Sequence, residues 1–220
     1  MNQNILDSKT VLSIAFATSL VVANLVGTKI AFFEVPFVGG VAVPAGFAAI
    51  GVSFLFTDLL GELHGREVAR KTVNATIVAL GIAWVLVYTA ILFPAAPFYG
   101  DGAAFDRIFG ASGTIVIAGI LTTFISQNID VSIFHRLRAF TSGSHRWLRN
   151  LGSTSVSQLV DTALFIVLAF VVLPRVLGGT VSPLAAVPGL IVGQYVVKLI
   201  VATLDTPVFY LVTSLVDRQS

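Results

Sequence analysis

The sequence predicts an all-α integral membrane protein with six transmembrane helices and both termini in the cytoplasm. Of its 220 residues, 56% are hydrophobic and only 11% are charged, whereas soluble domains carry about 25% charged residues. The mean hydropathy is +0.94. Apolar stretches of membrane-spanning length recur along the chain, and no segment of soluble-domain size interrupts them. We therefore expect residues 1–220 to form a single membrane domain.

Six segments are long enough to cross a bilayer, which takes about 20 apolar residues. We predict one helix in each of the following ranges: residues 10–33, 42–63, 72–93, 113–137, 154–173 and 187–216. The last segment contains Pro207. Because proline removes a backbone donor and disfavours helix at the preceding residue, we expect a kink or break near Thr206.

The loops predict the orientation of these helices. Basic residues concentrate in the loops after the second and fourth segments, whereas the alternate loops carry only Arg107 and Arg175. Loops rich in lysine and arginine remain in the cytoplasm. An even number of spans then places both termini on the cytoplasmic side of the cell membrane.

Residue types disfavour several classes of function. The chain has no cysteine and only three scattered histidines, which excludes disulfides and gives no metal-ligand spacing. Its basic residues form short clusters beside apolar segments, so we expect no nucleic-acid partner. No Gly-x-Ser-x-Gly motif precedes a plausible histidine and acid. We expect no metal, no cofactor and no enzymatic activity.

Two of the predicted helices carry the same polar motif, Ser-Gln-x-x-Asp, at residues 126–130 and 157–161. In each copy the serine, glutamine and aspartate share one helical face. A charged aspartate in the bilayer costs about 2.5 to 3.5 kcal/mol, so it requires a partner, a proton or a ligand. The motif therefore provides four candidate binding residues: Gln127, Asp130, Gln158 and Asp161.

The second segment presents a similar polar face. Asp58 and Glu62 lie one helical turn apart, and Phe54 lies one turn before Asp58, where it could stack on a planar ligand. At about 1.5 Å per residue from the basic loops, Asp58, Asp130 and Asp161 reach a similar depth. We expect these carboxylates to line one cavity in the cytoplasmic half of the membrane.

The first and last segments add polar residues that could face the same cavity. Gln194 and Lys198 lie one turn apart in the last segment, and the first contains Asn24 and Lys29. Lys198 is the most deeply placed cation, and we expect it to neutralise one of the aspartates because charges in lipid are nearly always paired. The alternative is that the polar faces only join helices through hydrogen bonds of about 0.6 kcal/mol each. Such joints rarely need a carboxylate.

The motifs, taken in order, match a known family. Residues 56–70 resemble the D-x-x-x-E-x-x-G-x-x-x-A-R signature of the queuosine precursor transporter family, also called the VUT family. The two Ser-Gln-x-x-Asp motifs, with Trp147-Leu148-Arg149 and Ser153-Thr154 between them, resemble its second block. Asn24 and Lys29 match the polar pair of its first span. One departure is His64, where many members carry tyrosine.

This resemblance implies a membrane transporter that imports precursors of queuosine or archaeosine. The implied substrates are 7-cyano-7-deazaguanine, its aminomethyl relative or queuine. Two alternatives stay open: a substrate-binding subunit of an energy-coupling-factor vitamin importer, and a membrane scaffold protein. The sequence also leaves open the energy source and whether the unit is a homodimer.

Overall fold

The computed structural model describes residues 8–35, 39–140, 146–177 and 179–217. Most side chains between residues 126 and 157 and after residue 204 lie outside this description. In chain order the long helices and strands are α1 Ser8–Val26, β1 Ile30–Val35, β2 Gly39–Pro44, α2 Phe47–His64, α3 Arg66–Leu92, α4 Gly102–Phe140, α5 Arg146–Val167, α6 Leu173–Leu177 and α7 Val187–Asp217. A π-helical turn, Leu168–Val172, joins α5 to α6, and a 3-10 turn, Leu184–Ala186, precedes α7.

The predicted fold class, a helical membrane protein with six spans, is confirmed, whereas the cytoplasmic placement of both termini stays a prediction. Within the described residues, six helical segments are long and apolar enough to cross a membrane. The fifth of them, Gln158–Leu177, combines the end of α5, the π-helical turn and α6. Large apolar side chains such as Val78, Leu86 and Leu204 are each about two-thirds exposed, as expected for side chains that contact lipid rather than a protein core.

A β-hairpin between α1 and α2 corrects the predicted helix ends. The sequence placed residues 30–33 and 42–46 in helices, but β1 and β2 pair antiparallel, with Ile30 opposite Pro44 and Glu34 opposite Gly40. Val41 and Val43 are buried and Ala42 between them is less so, which is the alternation of a strand with one packed face. A two-stranded hairpin leaves the outer backbone groups of both strands without ladder partners, so at membrane depth it needs protein or water along those edges.

Other helix starts also differ from the prediction, since α3 begins at Arg66 rather than near residue 72 and α5 at Arg146 rather than near residue 154. Helix α4 begins at Gly102 rather than near residue 113, and the rings of Phe105 and Phe109 pack one turn apart at a centroid distance of 4.6 Å in the added turns. Helix α7 continues through Pro207 to Asp217, so the helix does not break near Thr206, and the kink that was the other form of this prediction stays a prediction. Pro207 removes one backbone donor, but in an apolar environment the other backbone groups near it have no better partners than those within the helix.

The core lies where α4, the end of α5, the π-helical turn and α7 meet. Its buried residues are Ile115, Ala118, Ile166, Ala169, Phe170 and Leu190. Glycines let neighbouring elements approach this core closely. A Cβ on Gly46 would meet the carbonyl of Ala23 in α1, and one on Gly193 would meet the carbonyl of Ala42 in β2. The hairpin and the start of α2 are thereby held against α1 and α7.

Candidate binding site

A cavity of about 310 Å³ lies between α1, α2, α4, α5 and α7. This is the lower end of the range for small-molecule sites, about 300 to 1,000 Å³. Its aromatic lining consists of Phe47, Phe54 and Phe165, and its amide and charged lining consists of Asn24, Gln158, Asp161, Gln194 and Lys198. The cavity thus combines flat apolar walls with a few converging polar groups.

The lysine and aspartate of this cavity form an ion pair. Lys198 Nζ lies 2.9 Å from Asp161 Oδ2, and the two side chains are only 15% and 21% exposed. The same ammonium donates to Gln158 Oε1 at 3.3 Å and to Thr162 Oγ1 at 3.0 Å. The prediction that Lys198 neutralises one of the aspartates is confirmed. Because an ammonium carries three protons, all three are used by these acceptors.

Helix periodicity explains how α5 builds its side of the pair. Gln158, Asp161, Thr162 and Phe165 are spaced by three, four and seven residues, so they share one face of the helix. The hydroxyl of Thr162 donates to the backbone carbonyl of Gln158 at 2.8 Å, which leaves its oxygen free to accept from Lys198. The sequence prediction missed Thr162, although its position one turn after Gln158 was a usable signal.

Gln194 lies one turn before Lys198 on α7 and also faces the cavity. The residue is 6% exposed, and its Oε1 is buried without a hydrogen-bond partner among the described residues. An unpaired buried polar atom typically costs about 1 to 3 kcal/mol. Among the described residues, Gln194 therefore holds an acceptor that is open to an additional molecule in the cavity.

Asn24 and the aromatic residues complete the walls. Asn24 Nδ2 donates to the carbonyl of Leu20 at 2.8 Å within α1, which fixes the orientation of its amide at the cavity. Phe47 packs edge-on against Phe33 of β1 at 5.5 Å, and Phe165 packs edge-on against Phe170 at 6.3 Å. These contacts restrict the rings, so the apolar walls are largely preformed.

Three of the predicted site residues lie elsewhere. Asp58 and Glu62 are exposed and are not among the described lining residues of this cavity. Phe47, Ile50 and Phe54 form the stripe of α2 that lines it, and Asp58 continues this stripe about 6 Å beyond Phe54. The cavity ends before that turn. Lys29 is exposed beyond the end of α1 and lines a different cavity.

Gln127 and Asp130 lie in α4, four and seven residues after the lining residue Thr123. Their side chains fall outside the part of the chain that the structure describes. Their place in the site stays a prediction.

The second cavity, of about 1,250 Å³, lies next to the first. It carries the charged residues Lys29, Asp106 and Arg107. Ile115 lines both cavities, although its side chain is only 4% exposed. Ile115 thus forms the boundary between the two cavities together with two short backbone segments. In these segments Gly27 and Gly46 line the smaller cavity, and their neighbours Val26, Thr28 and Ala45 line the larger one.

Comparison with known proteins adds a family to this geometry. The family profile Vut_1, described as "Putative vitamin uptake transporter", matches residues 44–212. A protein of Bacillus subtilis (strain 168) named "Probable queuosine precursor transporter" is 31% identical over 181 residues, which cover 82% of this chain and 76% of that protein. No solved structure matches the chain significantly.

Proposed function

The chain belongs to the Vut_1 family of vitamin uptake transporters, and from this premise we propose that it imports 7-deazaguanine precursors of queuosine or archaeosine. It is a multi-pass membrane transporter rather than an enzyme. The proposed substrates are 7-cyano-7-deazaguanine, its aminomethyl relative and queuine. The proposed site is the 310 Å³ cavity that contains the Lys198–Asp161 pair.

One observation carries this proposal: the cavity joins aromatic walls to an ion pair and to an amide oxygen without a described partner. A deazaguanine is a flat base with an N1 hydrogen beside an exocyclic amine and a carbonyl. A carboxylate accepts hydrogen bonds from both donors, and lysine or amide groups donate to the carbonyl. Phe54 or Phe165 would cover the face of the ring.

The pairing of Lys198 with Asp161 suits a site that is empty for part of each cycle. While no substrate is bound, the ion pair keeps both charges compensated in a region of low polarity. The hydrogen bond from Lys198 to Gln158 is, at 3.3 Å, the longest of the three that the ammonium donates. A base that enters would replace this bond with one from Lys198 to its own carbonyl. Binding therefore needs no unpaired charge at any stage.

The neighbouring cavity supplies a route to the site. We place entry through the 1,250 Å³ cavity, with Ile115 and the adjoining glycines as the boundary that opens during transport. Under the positive-inside orientation this cavity faces away from the cytoplasm, because Lys29, just after α1, and Arg107, in the first turns of α4, lie at the ends of these helices opposite the basic loops. Opening and closing this boundary would constitute one half of alternating access.

The test is uptake of labelled 7-cyano-7-deazaguanine by cells that lack other carriers of this base. We expect import by the parental protein, and loss of most of it in Asp161→Asn. Phe54→Ala should weaken uptake about tenfold, since stacking contributes about 1 to 3 kcal/mol per base. Phe98→Ala is the matched control, because Phe98 is 92% exposed and does not line this cavity. Parental uptake rates in both Asp161→Asn and Phe54→Ala would refute the site.

A further inference from the structure

Gln194 presents to the cavity an acceptor that the described part of the chain leaves unused. More than nine-tenths of the residue is buried, and Oε1 has no partner there. Its neighbour Lys198, one turn further on, is fully engaged with three other acceptors. Because no described residue donates to this oxygen, a ligand that brings a donor into the cavity would pair with it.

Two donors at or beside the cavity are directed to backbone carbonyls. Thr162 donates to the carbonyl of Gln158, and Asn24 Nδ2 donates to the carbonyl of Leu20. The amide oxygen of Gln158 already accepts from Lys198. Of the two glutamines described in the cavity lining, Gln158 therefore belongs to the ion-pair network, whereas the side-chain oxygen of Gln194 is available to a ligand.

We propose that Gln194 determines specificity by recognising the exocyclic 2-amino group of the base. This inference rests on the proposed function and names the feature of the substrate that the site selects. The amine carries two hydrogens. One lies parallel to the N1 hydrogen, where a carboxylate accepts both, and the other points away from that pair and needs a second acceptor. Asp161 and Gln194, both in the cavity lining, supply the two acceptors.

The same arrangement rejects bases that lack the amine. 7-Deazahypoxanthine keeps the ring, the carbonyl and the N1 hydrogen of 7-deazaguanine, but it has no 2-amino group. Its binding leaves the Gln194 oxygen buried and unpaired. Sites built around a substrate donor discriminate strongly against an analogue without it. We expect the parental protein to bind 7-deazaguanine roughly ten- to a hundredfold more tightly than 7-deazahypoxanthine.

The experiment measures both dissociation constants by calorimetry on the purified, detergent-solubilised full chain. In Gln194→Met, which keeps side-chain length and removes the acceptor, the preference for 7-deazaguanine should fall to about twofold or less. Gln158→Met is the matched control from the same cavity. It should weaken both ligands by a similar factor and keep the preference, because Gln158 acts through Lys198.

Two results would overturn the inference: a parental protein that binds the two bases equally, or a preference that survives in Gln194→Met. The first measurement uses only the parental protein, so it decides the matter even if the variant does not fold. These failures are distinct from failure of the proposed function, in which the parental protein binds neither base and does not import 7-cyano-7-deazaguanine. Loss of the preference in Gln158→Met as well would also count against a specific role for Gln194.

Discussion

Lys198 of α7 donates to Asp161 of α5 across 2.9 Å, in a region where both side chains are mostly buried. The pair joins two helices that both line the candidate cavity. Thr162 and Gln158 accept the remaining protons of the ammonium. The pair therefore has two separable roles, since it neutralises charge between the helices and it presents a carboxylate to the cavity.

The first prediction separates these roles with charge-neutralising variants. Asp161→Asn and Lys198→Met each leave one charge without its partner, which costs about 3 to 5 kcal/mol in a fully buried pair and less at 15% and 21% exposure. The double variant removes both charges. We expect its thermal unfolding temperature in detergent to exceed that of either single variant, while uptake stays lost in all three.

Additive destabilisation in the double variant would contradict direct coupling between Lys198 and Asp161. The exposed pair Lys71–Glu67, whose side chains are 74% and 75% exposed, offers a control. Neutralising both of its members should leave uptake near the parental level, and the unfolding temperature should change little because exposed pairs contribute about 0 to 1 kcal/mol.

The sequence predicted the six spans because the length of an apolar segment is a local property, whereas the orientation read from loop charge stays a prediction. It also predicted that Lys198 pairs with one of the aspartates, since a deep cation has few alternatives to a carboxylate, but it did not single out Asp161. The β-hairpin was missed because the helices were identified by the length of apolar runs alone. Residues 30–33 continue the apolar run of α1, and a criterion based on length does not separate a short strand from the end of a helix.

Asp58 illustrates a different limit of prediction from helix periodicity. Helix periodicity correctly places it on the stripe of α2 that includes Phe54. Periodicity gives the direction of a side chain about its own helix, but it does not give the point along the axis where neighbouring helices enclose a cavity. That point depends on close approaches, such as the one between Gly46 and Ala23, which involve residues far apart in the sequence.

The second prediction concerns Gly193, the glycine of α7 against which the hairpin packs. A Cβ on Gly193 of α7 would meet the backbone carbonyl of Ala42 in β2, whereas a Cβ on Gly189 of the same helix meets nothing within 4 Å. Gly193→Ala should therefore lower the unfolding temperature, because a backbone atom cannot move aside as a side chain can. Gly189→Ala should keep or raise it, since alanine favours helix by up to about 1 kcal/mol. Equal effects of the two substitutions would show that the hairpin is not packed tightly on α7.

The third prediction tests the boundary between the two cavities, and it uses the absence of cysteine from the chain. A single cysteine at position 115 introduces a unique thiol at the residue that lines both cavities. If this boundary opens during transport, a membrane-impermeant maleimide added outside the cell should label Ile115→Cys slowly. Saturating 7-cyano-7-deazaguanine should slow the labelling further, because the base occupies the adjoining cavity.

Two reference positions calibrate this measurement. Phe98→Cys, at a residue that is 92% exposed, should react rapidly and show no effect of the base, whereas Leu60→Cys, at a residue that is 0% exposed, should remain unlabelled. A rate at position 115 equal to that at position 60, with and without the base, would mean that the boundary stays closed to the outside. Entry through the larger cavity would then be wrong, and the route to Asp161 and Lys198 would have to begin elsewhere.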